Sequence, residues 1–161
     1  VARRVVRGEA WRQGPAHFEV RWPPKPFELP DANMISQVLR VRWQDRELWL
    51  MGDATAIQER DLLDLGDPGS VKAHRLLKAG HHGSVSASDP TWIATLSPEL
   101  VLFTVGRNNR FDFPSARTTE TLGPIPHFST GANRGLRVVA VPGGWRVEPG
   151  MGAVINVPLG F

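Results

Sequence analysis

Residues 76–90 read "LLKAGHHGSVSASDP": two leucines and a lysine, then Ala79 and Gly80, then two adjacent histidines followed by Gly83 and Ser84. An apolar pair running into a glycine-flanked imidazole doublet has the form of a strand that ends in a loop carrying chemistry. A polar loop closing a buried strand has the same form, so the segments on either side must discriminate between the two.

Downstream, Asp89 before Pro90 supplies a helix N-cap and a first-turn proline, and Trp92, Ile93 and Leu96 at helical spacing predict a short helix ending near Pro98. "ELVLFTVG", residues 99–106, is a continuous apolar run of the length expected for a strand buried on both faces. "SARTTETLG", 115–123, predicts a helix after Pro114, and "LRVVAVPGGWRVEP", 136–149, predicts a hairpin around Pro142, Gly143 and Gly144.

Upstream, "SQVLRVRWQDRELWLMGD", 36–53, predicts a hairpin whose second strand stops at Gly52 and Asp53. Thr55 followed by Gln58 has the spacing of a capping box. The helix it opens takes its apolar side from Ile57, Leu62 and Leu63 and is stopped by Gly66 and Pro68. "VKAHRLLKAG", 71–80, suits a strand, although a helical turn fits its pattern as well. In "HFEVRW", 17–22, Phe18, Val20 and Trp22 alternate with Glu19 and Arg21, as in a half-buried strand. "WPPKPFELPD", 22–31, reads as a surface connector.

The chain has 161 residues, 41% of them hydrophobic, which suits one globular domain over residues 1–161 with a sizeable core. It has no cysteine, so a disulfide framework and a cysteine-ligated metal are both excluded. Nineteen basic against sixteen acidic residues leave a net charge of +3, carried almost wholly by arginine, since lysine occurs only at Lys25, Lys72 and Lys78. Arginine suits phosphate oxygens, though a solvated mixed-charge surface explains so small an excess equally well. No apolar run approaches the roughly 20 residues of a membrane-spanning helix.

Strands alternating with short helices predict an α/β sandwich with its chemistry in loops at strand ends. Three loops follow apolar strands: Gly52 to Ala54, Gly80 to Ser84 and Gly106 to Pro114. If those strands are neighbours, Asp53, His81, His82 and Asn109 converge on one edge. A carboxylate beside paired imidazoles suits a divalent metal, one ring ligating while the other serves as outer donor or proton shuttle. His17, His74 and His127 lie elsewhere in the pattern and read as surface or packing residues.

The order of these motifs, from "NMIS" at 33–36 through Gly-Asp and His-His-Gly-Ser to "NNRFDFP" at 108–114, resembles the metallo-β-lactamase-fold domain of the ComEC family of DNA-uptake competence proteins. The resemblance spans roughly residues 9–148 and corresponds to the C-terminal half of that domain. It implies an αββα sandwich of metallo-β-lactamase type and a metal-dependent phosphodiesterase site acting on DNA. Asp53 would contact the metal, zinc or manganese, and His82 with its neighbour His81 would supply a ligand and a proton-transfer group. These three are the expected catalytic residues.

On the same resemblance Ser84 and Asn109 would line the site, while Arg107 and Arg110 are placed near a DNA phosphate by location alone. Two departures stand out. The fold's main His-x-His-x-Asp-His cluster belongs to the N-terminal half and is absent here, and Phe113 stands where the family often has histidine before the proline. The chain is therefore expected to need a missing N-terminal half or a membrane-channel parent as partner, and to expose an apolar sheet face where that partner would pack. Association with a membrane DNA-uptake channel follows only if the family reading holds. The alternatives are an inactive DNA- or partner-binding remnant of the fold, and a metallohydrolase for lactams, thioesters or lactones.

Overall fold

Successive residues of a strand point to opposite faces, and in this chain each face of the central strands has a different cover. The computed structural model describes residues 5–24, 35–66, 68 and 73–159, so most of the proline-rich connector lies outside the described residues. In chain order these form β1 (Ala10–Gln13), β2 (Ala16–Trp22), β3 (Val38–Trp43), β4 (Arg46–Leu50), α1 (Ala56–Asp64), β5 (His74–Lys78) and α2 (Pro90–Leu96). They continue with β6 (Leu100–Phe103), α3 (Ala116–Leu122), β7 (His127–Ser129), α4 (Thr130–Asn133), β8 (Leu136–Val141), β9 (Gly144–Pro149) and β10 (Ile155–Pro158).

Strands β1 to β7 form one sheet in sequence order, and β8 to β10 form a separate three-stranded sheet with β9 at its centre. The large sheet begins as an antiparallel meander, β1 to β4, and continues with β4, β5, β6 and β7 all parallel. The fold is mixed α/β. No helix of the described residues is long and apolar enough to cross a membrane.

Register aligns Trp49, Leu77 and Val101 in one row and Leu48, Leu76 and Leu100 in the next. The first row, with Phe103, packs under Leu62 of α1, Trp92, Ile93 and Leu96 of α2, and Leu122 of α3. The second packs against Trp145 and Val147 of β9 and Val157 of β10. Burying side chains of this size contributes roughly 1.5–3 kcal/mol each, so the doubled leucines of β5 help hold two cores at once. The buried apolar residues thus form three layers: helices, large sheet and small sheet. No helical residue enters the second core among the described residues.

Several local readings of the sequence hold. Gln58 closes the start of α1 by accepting from the Thr55 backbone N–H at 2.7 Å and from the Thr55 hydroxyl at 2.8 Å. Asp89 caps α2 by accepting from the N–H groups of Thr91 and Trp92, and Ser115 caps α3 by accepting from that of Thr118.

Others need correction. Ile57 is 56% exposed, because the inner side of α1 is built from Gln58, Glu59 and Leu62 instead. Trp22 does not share a face with Val20: the register of β2 on β3 shifts between them, a bulge that turns Trp22 into the helix-side core. Residues 104–106 leave the strand expected over 99–106 and join the loop that follows β6.

Part of the large sheet's second face lies beyond the small sheet. There Trp11 stacks on Phe18 at 5.2 Å and is 41% exposed, while Trp43, 37% exposed, borders the turn between β8 and β9.

Trp92 is fully buried and meets Trp49 edge to face at 5.4 Å. Trp92→Ala should lower stability by about 3–5 kcal/mol, read as a reduced urea midpoint with an unchanged slope.

Candidate functional site

Because β4, β5 and β6 are parallel neighbours, the loops after them leave from the same edge of the sheet. Asp53, His81, His82 and Asn109 line one pocket of about 540 Å³ at that edge, with Thr104, Phe111 and Phe113 among its other walls. The backbone ties the loops together. The N–H of His81 donates to the Gly52 carbonyl at 3.2 Å, and the N–H of Asp53 donates to the Ser36 hydroxyl at 2.6 Å.

The doublet adopts an unusual backbone. His81 (φ 42°, ψ 42°) and His82 (φ 58°, ψ 16°) both lie in the left-handed region, which costs a residue with a Cβ on the order of 1–3 kcal/mol. Two glycines make the surrounding turns possible. Gly52 has φ +56°, and a Cβ on it would sit 2.5 Å from the Ser36 Oγ. Gly83 has φ +84°, and a Cβ there would fall 2.7 Å from both the Phe103 ring and Pro114.

His82 is oriented through both ring nitrogens. Its Nδ1 lies 2.5 Å from the Thr104 carbonyl oxygen, which can only accept, so Nδ1 carries the proton of the neutral ring. The lone pair is then on Nε2, 3.3 Å from the Asp53 Oδ1. His81 directs its Nδ1 to the Ser86 hydroxyl at 3.2 Å, and its ring centre is 6.0 Å from that of Phe113.

The other expected residues divide. Asn109 lines the pocket but spends its amide on its own loop, donating to the Phe113 carbonyl and accepting from the Phe111 N–H at 3.1 Å. Ser84 is buried and is not one of the pocket walls; it accepts from the N–H and hydroxyl of Ser86, the residue that meets His81. Arg107 and Arg110 are exposed and also stand outside the walls, with the Arg110 guanidinium 5.0 Å above the Phe111 ring.

As a metal site this arrangement is partial. Asp53 and His82 bring two potential donor atoms within 3.3 Å of each other, and the Nδ1–H bond to Thr104 is of the kind that orients an imidazole in metal sites. Zinc sites take three or four protein ligands. Among the described residues no group of three or more His, Asp or Glu is arranged to hold a metal ion. The residues present fit part of such a site.

Three contributors were not singled out from the sequence. Lys78 donates to the Gly52 carbonyl at 2.7 Å, and burial holds its ammonium below the usual lysine value while the Asp53 carboxylate opposes that shift. Its signal was a lone lysine at the end of an apolar strand, just before Ala-Gly-His-His. Phe111 is 63% exposed and stacks on Phe113 at 5.6 Å. Glu59, deep under α1, accepts from the N–H of Ser88 at 3.0 Å and of Asp89 at 2.7 Å, bracing the segment that follows the doublet. No sequence pattern marks a helical glutamate as buried.

Compared with known proteins, the chain matches no family model and no curated relative.

Burial pushes the Glu59 carboxyl from 4.5 up to about 7, against the bonds from Asp89 and Ser88 that favour its charged form. The folded chain therefore keeps a proton through a window in which the unfolded chain has lost it. Stability should fall as pH rises from about 4.5 to about 7 and level off above, by about 3 kcal/mol. Glu59→Gln removes this titration, so urea unfolding at about pH 5 and about pH 7.5 should show the wild type losing that amount relative to the variant. Gly83→Ala, which forces a Cβ into Phe103 and Pro114, should cost about 1–3 kcal/mol and shift the ring signals of both histidines in an NMR spectrum.

Proposed function

We propose that this chain supplies part of a divalent-metal site for phosphodiester hydrolysis in DNA, as the C-terminal portion of a metallo-β-lactamase-type fold like that of the ComEC family it resembles. The observation that carries the reading is the pairing of an Nε2 lone pair, fixed by the Thr104 carbonyl, with the Asp53 carboxylate at the mouth of a walled pocket. Asp53 and His82 would hold zinc or manganese, and a further ligand would come from outside the described residues. When bound, the cation supplies Lewis-acid stabilisation of charge building on the phosphoryl oxygens.

The chain's own residues have complementary tasks in this reading. Asp53 and His82 fix the position of the cation, and His81 stands beside them as a group able to take or give a proton. Arg107 and Arg110 sit on the exposed loop, where a phosphate oxygen can reach their guanidinium forks. Phe111 offers a ring to a nucleobase, a contact worth roughly 1–3 kcal/mol. Arg110 above that ring gains only about 0.5–1 kcal/mol at an exposed site, so a base can displace it and free it for phosphate. Association with a missing half-domain or a membrane uptake channel belongs to the same proposal.

A second reading is favoured by one observation, the lack of a third metal-ligating side chain in place among the described residues. In it the same edge binds DNA without cleaving it. Titration with Mn²⁺ separates the two. Paramagnetic broadening should be confined to the signals of His82 and its immediate neighbours and should vanish in Asp53→Ala. In parallel, a fluorescent oligonucleotide should be cleaved only when the metal and the N-terminal segment that completes the site are both added, and more than about 100-fold more slowly by Asp53→Ala. Absence of broadening at His82 rejects the metal reading. Salt-sensitive oligonucleotide binding that ignores chelator then supports the binding-only alternative.

A further inference from the structure

At the other end of the large sheet lies a second concavity with different chemistry. It has a volume of about 330 Å³ and is walled by Arg12 of β1, His17 of β2, Arg42 of β3, and Pro15 and Gln44 from the adjoining turns. Asp53 follows the last residue of β4, whereas Gln44 precedes the first. The five residues of β4 therefore separate the two sites by about 17 Å.

Three basic side chains meet there because the register places them opposite one another. Arg12 pairs with His17 across β1 and β2, and His17 pairs with Arg42 across β2 and β3. Residues directly opposite share a face, so the three form one row across three strands. Among the described residues no acidic side chain lines the concavity. A neighbouring carboxylate, Glu19, accepts from Arg42 at 2.7 Å, lies 3.6 Å from the His17 Nδ1 and is also engaged by Arg40 and Arg21. Those guanidinium groups hold its carboxyl below the usual range despite the opposing effect of burial, which keeps it an anion already committed to cations.

The hydrogen-bond roles are also determined. An Arg42 N–H lies 3.0 Å from the His17 Nδ1. Guanidinium only donates, so Nδ1 accepts and the ring keeps its proton on Nε2. Arg12 is exposed and makes no hydrogen bond or ion pair with the described residues. The concavity therefore offers the exposed Arg12 fork, those Arg42 N–H groups not spent on His17 and Glu19, and an imidazole N–H, from three adjacent strands.

We propose that this concavity is a phosphate-binding site, independent of the edge that carries Asp53. Donors approaching from three strands suit a tetrahedral group with several peripheral oxygens better than a planar carboxylate, and arginine forks match phosphate geometry. The concavity opens to solvent and has room for a phosphate that carries a substituent. A phosphorylated small molecule and a phosphorylated nucleic-acid end present the same chemistry. The proposal does not rest on the proposed function: it survives if Asp53 and His82 hold no metal, and fails on its own evidence.

The test is calorimetric titration, at low salt in phosphate-free buffer, with inorganic pyrophosphate in one arm and a 5′-phosphorylated oligothymidylate in the other. The variant is Arg12→Glu, which removes an exposed side chain that makes no hydrogen bond or ion pair with the described residues. The wild type should bind at least one probe, and Arg12→Glu should weaken that binding by about tenfold or more. Pyrophosphate binding lost in the variant identifies a small phosphorylated ligand, and oligonucleotide binding alone lost in the variant identifies a nucleic-acid end. Failure of both probes to bind the wild type, or affinities unchanged in Arg12→Glu, would overturn the proposal.

Discussion

Parallel pairing of β4, β5 and β6 is the constraint on which the rest of this molecule depends. Antiparallel neighbours would send consecutive loops to opposite ends of the sheet, but three parallel strands in register release their chains at one edge. Parallel connections need crossovers, and the crossovers are α1 and α2. Those helices can pack only if the strands present an apolar row to them, which Trp49, Leu77 and Val101 provide. The alternate row, Leu48, Leu76 and Leu100, would face water without the small sheet. The gathering of Asp53, His81 and His82 around one pocket is thus a consequence of apolar pairs far from it.

This explains which parts of the molecule were legible in its sequence. Continuous apolar runs mark strands covered on both sides, and their loops could be read as neighbours on one edge. Caps with local partners, such as Gln58 on Thr55 and Asp89 on Trp92, were legible because both partners lie within three residues. What escaped depends on contacts between distant segments. The outward turn of Ile57 follows from burial of Glu59 against Ser88 and Asp89, some thirty residues away. The inward turn of Trp22 follows from a bulge defined by its pairing with β3. Ser84 and Asn109 belong to the correct loops, yet their polar atoms are occupied in shaping those loops, a distinction that residue type cannot convey.

Charge is divided along the large sheet in a way that its net value conceals. The edge after β4, β5 and β6 gathers a carboxylate, two imidazoles and aromatic rings in one pocket, with Lys78, Arg107 and Arg110 outside its walls. The opposite end, over β1 to β3, carries guanidinium groups around the committed Glu19. A net charge of +3 distinguishes neither end from an ordinary surface. It is strand register, placing Arg12, His17 and Arg42 in one row, that concentrates the basic character locally.

The backbone of the imidazole doublet also bears on what holds the Asp53 edge together. Two left-handed histidines cost on the order of 1–3 kcal/mol each. The contact between His82 and Asp53 does not offset this: the neutral ring turns a lone pair, not a proton, toward the carboxylate, and even a protonated ring would gain only about 0–1 kcal/mol, because both side chains are more than 40% exposed. The strain must be balanced by the buried frame. Gly80 packs where a Cβ would meet the Ala54 carbonyl at 2.2 Å, Gly83 lies against Phe103 and Pro114, and the backbone bonds from His81 to Gly52 and from Ser84 to His81 lock the turn. The frame therefore dictates the direction of the rings, and the imidazole-carboxylate contact follows from that direction. The orientation of the histidine pair is thus set by the frame at a cost that its own contact with Asp53 does not recover.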